Sequence, residues 1–109
     1  MDLYSLSITE TGEVYINALN YFGVLRALES FSQLSVAGII QRAPISIKND
    51  EPELRYRGVM LDCSRHFLPL DVIKLTIDGL MASKMNALHL HLTDSESFPL
   101  ILPNLPELA

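Results

Sequence analysis

The chain has 109 residues, of which 49% are hydrophobic, with a formal net charge of −5 and a pI of about 5.0. An acidic chain without a basic patch has nothing to neutralise phosphates, which excludes nucleic acid and an anionic membrane surface as partners. No apolar run reaches membrane-spanning length, and Met1-Asp2-Leu3-Tyr4-Ser5 has neither the basic nor the apolar region of a signal peptide.

Tyr4 to Ile8 alternates apolar and polar residues and reads as a strand. Thr11-Gly12-Glu13 supplies a turn, and Glu13 to Ala18 reads as a second strand. Phe22, Leu25, Leu28, Phe31 and Leu34 recur at helical spacing, which predicts a helix from about Tyr21 to Leu34 with its apolar stripe on those strands. Gly38 to Ile47 is mixed, although Ile45 and Ile47 alternate as in a short strand. Asn49 to Glu53 is polar and contains Pro52, which places a domain boundary there, with regions 1–52 and 53–109 on either side.

Beyond the boundary the texture changes. Gly58 to Asp62 is a continuous apolar run that ends in an acid, the pattern of a strand buried on both faces. Pro69-Leu70-Asp71 opens a helix, with Asp71 suited to its positive end. Val72, Ile73, Leu75, Ile77, Leu80 and Met81 give that helix a broad apolar face, and Lys84-Met85-Asn86 closes it. Ala87 to Leu92 is the next strand, followed by Asp94. The result is one β-α-β unit with parallel strands and a right-handed crossover. The tail from Phe98 to Glu107 carries three prolines and reads as an irregular loop. Parallel sheets normally occur in larger α/β folds. The expected fold class is therefore α/β: the first β-α-β unit of a TIM (β/α)8 barrel, preceded by part of an α+β domain, in a chain that stops before the barrel closes.

Barrels place their chemistry at the carboxyl ends of the strands. Asp62 and Asp94 stand at those exits. From the residues alone, Asp94 is read as a loop aspartate acting as a turn residue or helix cap. Asp62, Arg65 and His66 are read as a buried ion-pair cluster that holds the loop after the first barrel strand, the other reading being substrate contact. His89 and His91 share one face of their strand. They are read as buried supporting histidines, the other reading being half of a zinc site without an evident third ligand. Cys63, the only cysteine, cannot form an internal disulfide and is read as a small buried side chain. Met60, Met81 and Met85 are core candidates.

The segments Arg57-Gly58 with the apolar run, Leu61-Asp62-x-Ser64-Arg65-His66-x-x-Pro69, and Lys84-Met85-Asn86-x-x-His89-x-His91-Leu92-x-Asp94 with Ser97-Phe98-Pro99 resemble the first two barrel strands of the glycoside hydrolase family 20 β-N-acetylhexosaminidases. Tyr21 to Leu34 is similar to the helix of the domain before that barrel. The resemblance covers almost the whole chain. It implies retaining hydrolysis of terminal N-acetylglucosamine or N-acetylgalactosamine, in which the substrate's own 2-acetamido oxygen attacks the anomeric carbon. It implies a general acid Glu and an orienting Asp on the fourth barrel strand, a pair this chain lacks. The resemblance gives Arg57 a hydrogen-bonding role toward sugar hydroxyls, His91 a place in the pocket floor, and Asp94 a supporting relay to a downstream His. The family usually has a second acid after that Asp, where this chain has Ser95, and more often Thr at the place of Cys63. No cofactor and no metal are expected. A glycan with a terminal N-acetylhexosamine is the expected partner, with a homodimer and a lysosomal or secreted location for the parent protein. The rival reading is a non-catalytic remnant or short isoform that binds another protein.

Overall fold

The computed structural model describes residues 2–109. It falls into two compact units that divide between Arg55 and Tyr56.

The first unit is built on β1 (Tyr4–Ile8), flanked by β2 (Val14–Ala18) and, further along the chain, β5 (Ile45–Asp50). Both neighbours run antiparallel to β1, in the order β2-β1-β5. The period-2 pattern is realised fully: Tyr4, Leu6 and Ile8 are buried while Ser5 and Ser7 lie between them at intermediate exposure. The β1–β2 turn is held by Thr9, whose Oγ1 accepts the Glu13 N–H at 3.0 Å. Gly12 takes φ +85° there, a conformation glycine adopts without steric cost.

Helix α1 (Tyr21–Gln33) begins at Asn20, whose side chain accepts the Gly23 N–H at 3.1 Å. Its placement corrects the expected stripe. The buried residues are Gly23, Ala27 and Ser30, whereas Phe22, Leu25 and Leu28 are exposed. The cause is distance: a Cβ on Gly23 would stand 2.6 Å from the Leu3 carbonyl oxygen. The helix backbone comes so near the sheet that only small side chains fit on its central line. Of the expected stripe, Phe31 and Leu34 do pack against the core of Tyr4, Leu6 and Ala27, together with Ile16, Ala18 and Ile47. The Tyr4 hydroxyl satisfies itself inside this core, lying 2.6 Å from Ser30 Oγ and donating to the Asp50 carboxylate.

Two features of this unit were not legible as elements. β3 (Ser35–Val36) and β4 (Ile39–Ile40) form a minimal hairpin through Ala37 and Gly38, both at positive φ. β5 also runs past its alternating isoleucines. Asn49 sits at φ +52° beside a register shift opposite Tyr4 and Leu6, and its N–H reaches Ser5 Oγ at 3.0 Å.

The second unit pairs β6 (Gly58–Asp62) with β7 (Ala87–His91) in parallel, and α2 (Leu70–Ala82) makes the crossover. The register runs from Gly58 opposite Ala87 to Asp62 opposite His91. Gly58 is needed for this pairing, because a Cβ there would stand 2.9 Å from both the Ala87 Cβ and the Ala87 carbonyl oxygen. The chain leaves α2 through Lys84 at φ +55°. The tail contains a bridge between Leu102 and Leu105 and a 3-10 turn, Pro106–Leu108. The expectation of a strand buried on both faces is not met within this chain: Met60 is 53% exposed. Among the described residues α2 buries none, and Leu75 on its apolar face is 70% exposed. Together the units make a mixed α/β fold.

Candidate functional site

The parallel register brings the carboxyl ends of β6 and β7 side by side, with Asp62 directly opposite His91. The ladder continues one residue past β6, where the Cys63 N–H donates to the His91 carbonyl at 2.9 Å. Two loops leave from this point, and each folds around its own carboxylate.

Asp62 organises the loop after β6. Its Oδ1 accepts the N–H groups of Ser64 at 3.1 Å and Arg65 at 3.0 Å. Its Oδ2 accepts Arg65 Nε at 2.6 Å and also contacts Nη2 of the same guanidinium. Asp94 organises the loop after β7. Its Oδ1 accepts the N–H groups of Glu96 at 2.8 Å and Ser97 at 2.9 Å, and its own N–H donates to the Ser97 carbonyl at 2.9 Å. Its Oδ2 faces His91 Nε2 at 3.6 Å and Arg65 Nε at 3.7 Å. One guanidinium therefore stands between two carboxylates carried by neighbouring strands.

The electrostatics follow from these donors. The Arg65 N–H, then the guanidinium, hold the Asp62 carboxyl below the ordinary carboxylate range against a partial loss of solvent. The Glu96 N–H is the largest influence lowering Asp94, opposed by desolvation and aided by the Ser97 N–H, the Ser64 hydroxyl and His91. Asp62 in turn raises Arg65 above its usual value. Both carboxyls are ionised at neutral pH. They accept hydrogen bonds and orient cations, and neither has a proton to give as a general acid.

The sequence-predicted residues are divided by this geometry. His91 and Asp94 come together. Asp62 and Arg65 pair as expected, but the Arg65 side chain is 62% exposed, so the cluster is open rather than buried. Asp94, not His66, is its third member, and His66 is exposed. His89 is exposed too, its ring edge-on to His91 with centroids 6.5 Å apart, which corrects its reading as a buried support. Among the described residues no group of three His, Cys, Asp or Glu is placed to hold a metal.

Arg57 stands apart from the exits, just before the opposite end of β6. Five strand steps, about 16 Å at the usual rise, separate it from Asp62. Its Nε donates to the Lys84 carbonyl at 3.0 Å, and its N–H donates to Asn86 Oδ1 at 2.9 Å. These bonds close the α2–β7 connection onto the start of β6.

Ser64 and Ser97 stand in the sequence motifs, but sequence reasoning gave neither a role. Ser64 is buried, and its Oγ donates to the Ser97 carbonyl at 3.1 Å, which ties the two loops together. The signal for both was local: a serine two or three residues after an aspartate is the pattern of a side-chain-capped turn.

Comparison with known proteins gives the family of the chain. The family model "Glycosyl hydrolase family 20, catalytic domain" matches residues 54–109, and a second, "beta-acetyl hexosaminidase like", matches residues 2–34. The chain belongs to glycosyl hydrolase family 20. It is 42% identical over 111 residues to a β-hexosaminidase of Arthroderma benhamiae, covering 97% of this chain and 18% of that protein. It is 44% identical over 103 residues to β-hexosaminidase 1 of Arabidopsis thaliana, covering 89% and 19%. It also resembles the Vibrio harveyi exo-β-N-acetylglucosaminidase solved with N-acetylglucosamine, at 34% identity and a TM-score of 0.82, covering 98% of this chain and 17% of that one. The chain spans about a fifth or less of the length of the curated relatives it matches.

Proposed function

We propose that this chain is part of a β-N-acetylhexosaminidase that removes terminal non-reducing N-acetylglucosamine or N-acetylgalactosamine from glycans by substrate-assisted, retaining catalysis. In this reading residues 53–109 supply the opening β-α-β of a TIM barrel, and residues 1–52 belong to the α+β domain before it. The observation that carries the proposal is the meeting of His91, Asp94, Asp62 and Arg65 at two adjacent parallel strand exits, where barrels hold their chemistry.

The geometry supports the following roles. Asp94, ionised and fixed by two backbone N–H groups, is the supporting relay: it orients a cationic or N–H-bearing partner. His91 lines the floor beside it. A guanidinium for sugar hydroxyls is expected at the exits, and Arg65 stands there with its fork directed at both carboxylates. Arg57, engaged with Lys84 and Asn86 at the other end of β6, serves the strand closure. The acid Glu and acetamide-orienting Asp come from elsewhere in the enzyme. Asp50-Glu51 does not serve, since Asp50 accepts the buried Tyr4 hydroxyl in the first unit. No cofactor is required by this chemistry. Secretion or lysosomal residence and a homodimer are the parent protein's expected setting.

Release of chromophore from a β-N-acetylglucosaminide by the complete gene product is the test. Turnover by that product and none by residues 1–109 alone is the expected pair of results. A complete gene product that is folded yet inert on both hexosaminides removes the proposal.

A further inference from the structure

We infer that Ser64 is a positioning residue for Asp94, an inference that rests on the proposed role of the strand exits. Ser64 is 7% exposed, one of two buried polar side chains among the described residues and the only one in its unit. Its N–H is fixed on Asp62 Oδ1, so the residue cannot swing with the loop. Its hydroxyl donates to the Ser97 carbonyl on the other loop at 3.1 Å. The Ser97 carbonyl also receives the Asp94 N–H, and the Ser97 N–H returns to Asp94 Oδ1. A single hydroxyl thus locks the turn that presents Asp94, from the side of β6. It is a buried donor whose removal alters the setting of a charge without deleting any charge.

Among the described residues, the titratable groups facing Asp94 are His91 at 3.6 Å from β7 and Arg65 at 3.7 Å from the loop after β6. Asp62 lies behind Arg65, and His89 lies beyond His91. Those groups remain in a Ser64 variant, so a change in the titration of Asp94 reports the hydroxyl. Hydrogen bonds to the charged form favour it, so a turn untied from Ser64, with its Glu96 and Ser97 N–H groups less well aimed at Asp94 Oδ1, moves the carboxyl upward.

The experiment follows the Asp94 carboxyl carbon by NMR through an acid titration of the full chain. Ser64→Ala and the near-isosteric Ser64→Cys are compared with Ser64→Thr, which keeps the hydroxyl. The expected result is a midpoint raised in Ala and Cys and brought back in Thr. An unchanged midpoint in a folded Ala or Cys variant overturns the inference, and so does a Thr variant that stays with Ala. In the complete gene product, Ser64→Ala should lower kcat roughly tenfold with KM little changed and move the acid limb of the pH profile upward, as misplacement of a supporting group does. Inactivity of the unaltered gene product would sink the hexosaminidase reading alone, because the carboxyl titration still judges Ser64.

Discussion

The two units reach order by different means. The first has a mainly apolar centre: Tyr4, Leu6, Ile8 and Ala27 are the buried hydrophobic residues among those described, all four belong to it, and its buried polar atoms are confined to the Tyr4–Ser30–Asp50 bonds. The second has a polar centre, in which Ser64, Asp62, Asp94 and Ser97 hold two loops against two strand ends while Leu75, Ile77 and Met81 remain exposed. The lesson is that apolar periodicity and local burial are separate properties. Periodicity says which face a helix offers, and geometry within the unit decides whether that face is covered.

The largest break of this comparison is Leu6→Ala. Leu6 is 1% exposed at the middle of β1, between two hydrogen-bonded neighbours. Truncating it should cost the first unit about 2–5 kcal/mol, the range for a leucine cavity that cannot collapse. Denaturant unfolding followed by far-ultraviolet circular dichroism measures this. A loss below about 1 kcal/mol would mean the unit lacks a close-packed core.

Gly23→Ala probes the helix seat and should cost about 1–3 kcal/mol by overpacking, because the new methyl meets a backbone oxygen instead of a flexible side chain. The same change at Gly79, with open space where a Cβ would go, should stabilise by a few tenths to about 1 kcal/mol. If both changes act alike, the close approach of α1 to the sheet is not what selects glycine at position 23.

Much of this was legible in the sequence, for identifiable reasons. Tyr4–Ile8 and Gly58–Asp62 were read to the residue because a strand bounded by turn formers carries its own signature. The helix lengths came from apolar spacing, yet the spacing misled about α1, where Gly23, Ala27 and Ser30 form the contact line. Small residues carry little hydrophobic signal, so a close helix–sheet approach is invisible to a pattern of large ones. At the site, Asp94 and His91 were legible because charged or basic groups at strand exits stand out. The separation of Arg57 from them was not, since a motif lists residues without saying which end of a strand each occupies. Ser64 stood in the motif without a role because its hydroxyl bond reaches a loop thirty-three positions away.

Acid sharpens the contrast between the units, with a smaller effect because these ion pairs are largely open to solvent. Asp62 and Asp94 are lowered in the folded chain. Their contribution is therefore complete above the unfolded carboxylate value, about 4, and is lost as pH falls through the lower folded values. Unfolding measured from pH 6 to pH 2 should show stability declining below about pH 4. Asp62→Asn should flatten part of that decline and Leu6→Ala none of it. An Asp62→Asn chain with an unaltered acid slope would disconnect the polar centre from the stability of its unit.

The smallest expected effect is the most revealing about α2. Leu75 is 70% exposed in this chain, so Leu75→Ala removes little buried surface and replaces leucine by a better helix former. Stability should change by no more than about 0.5 kcal/mol. In the complete gene product the proposed barrel sets further elements beside α2, and the same truncation should then cost about 2 kcal/mol or more. The difference between those two measurements isolates the burial that α2 gains from sequence outside these 109 residues, since helix propensity is the same in both. An equal and small effect in both would mean the apolar face of α2 stays uncovered even in the larger protein. That result would count against the barrel reading while leaving the strand-exit cluster as it stands, because the cluster is held by bonds within residues 62–97.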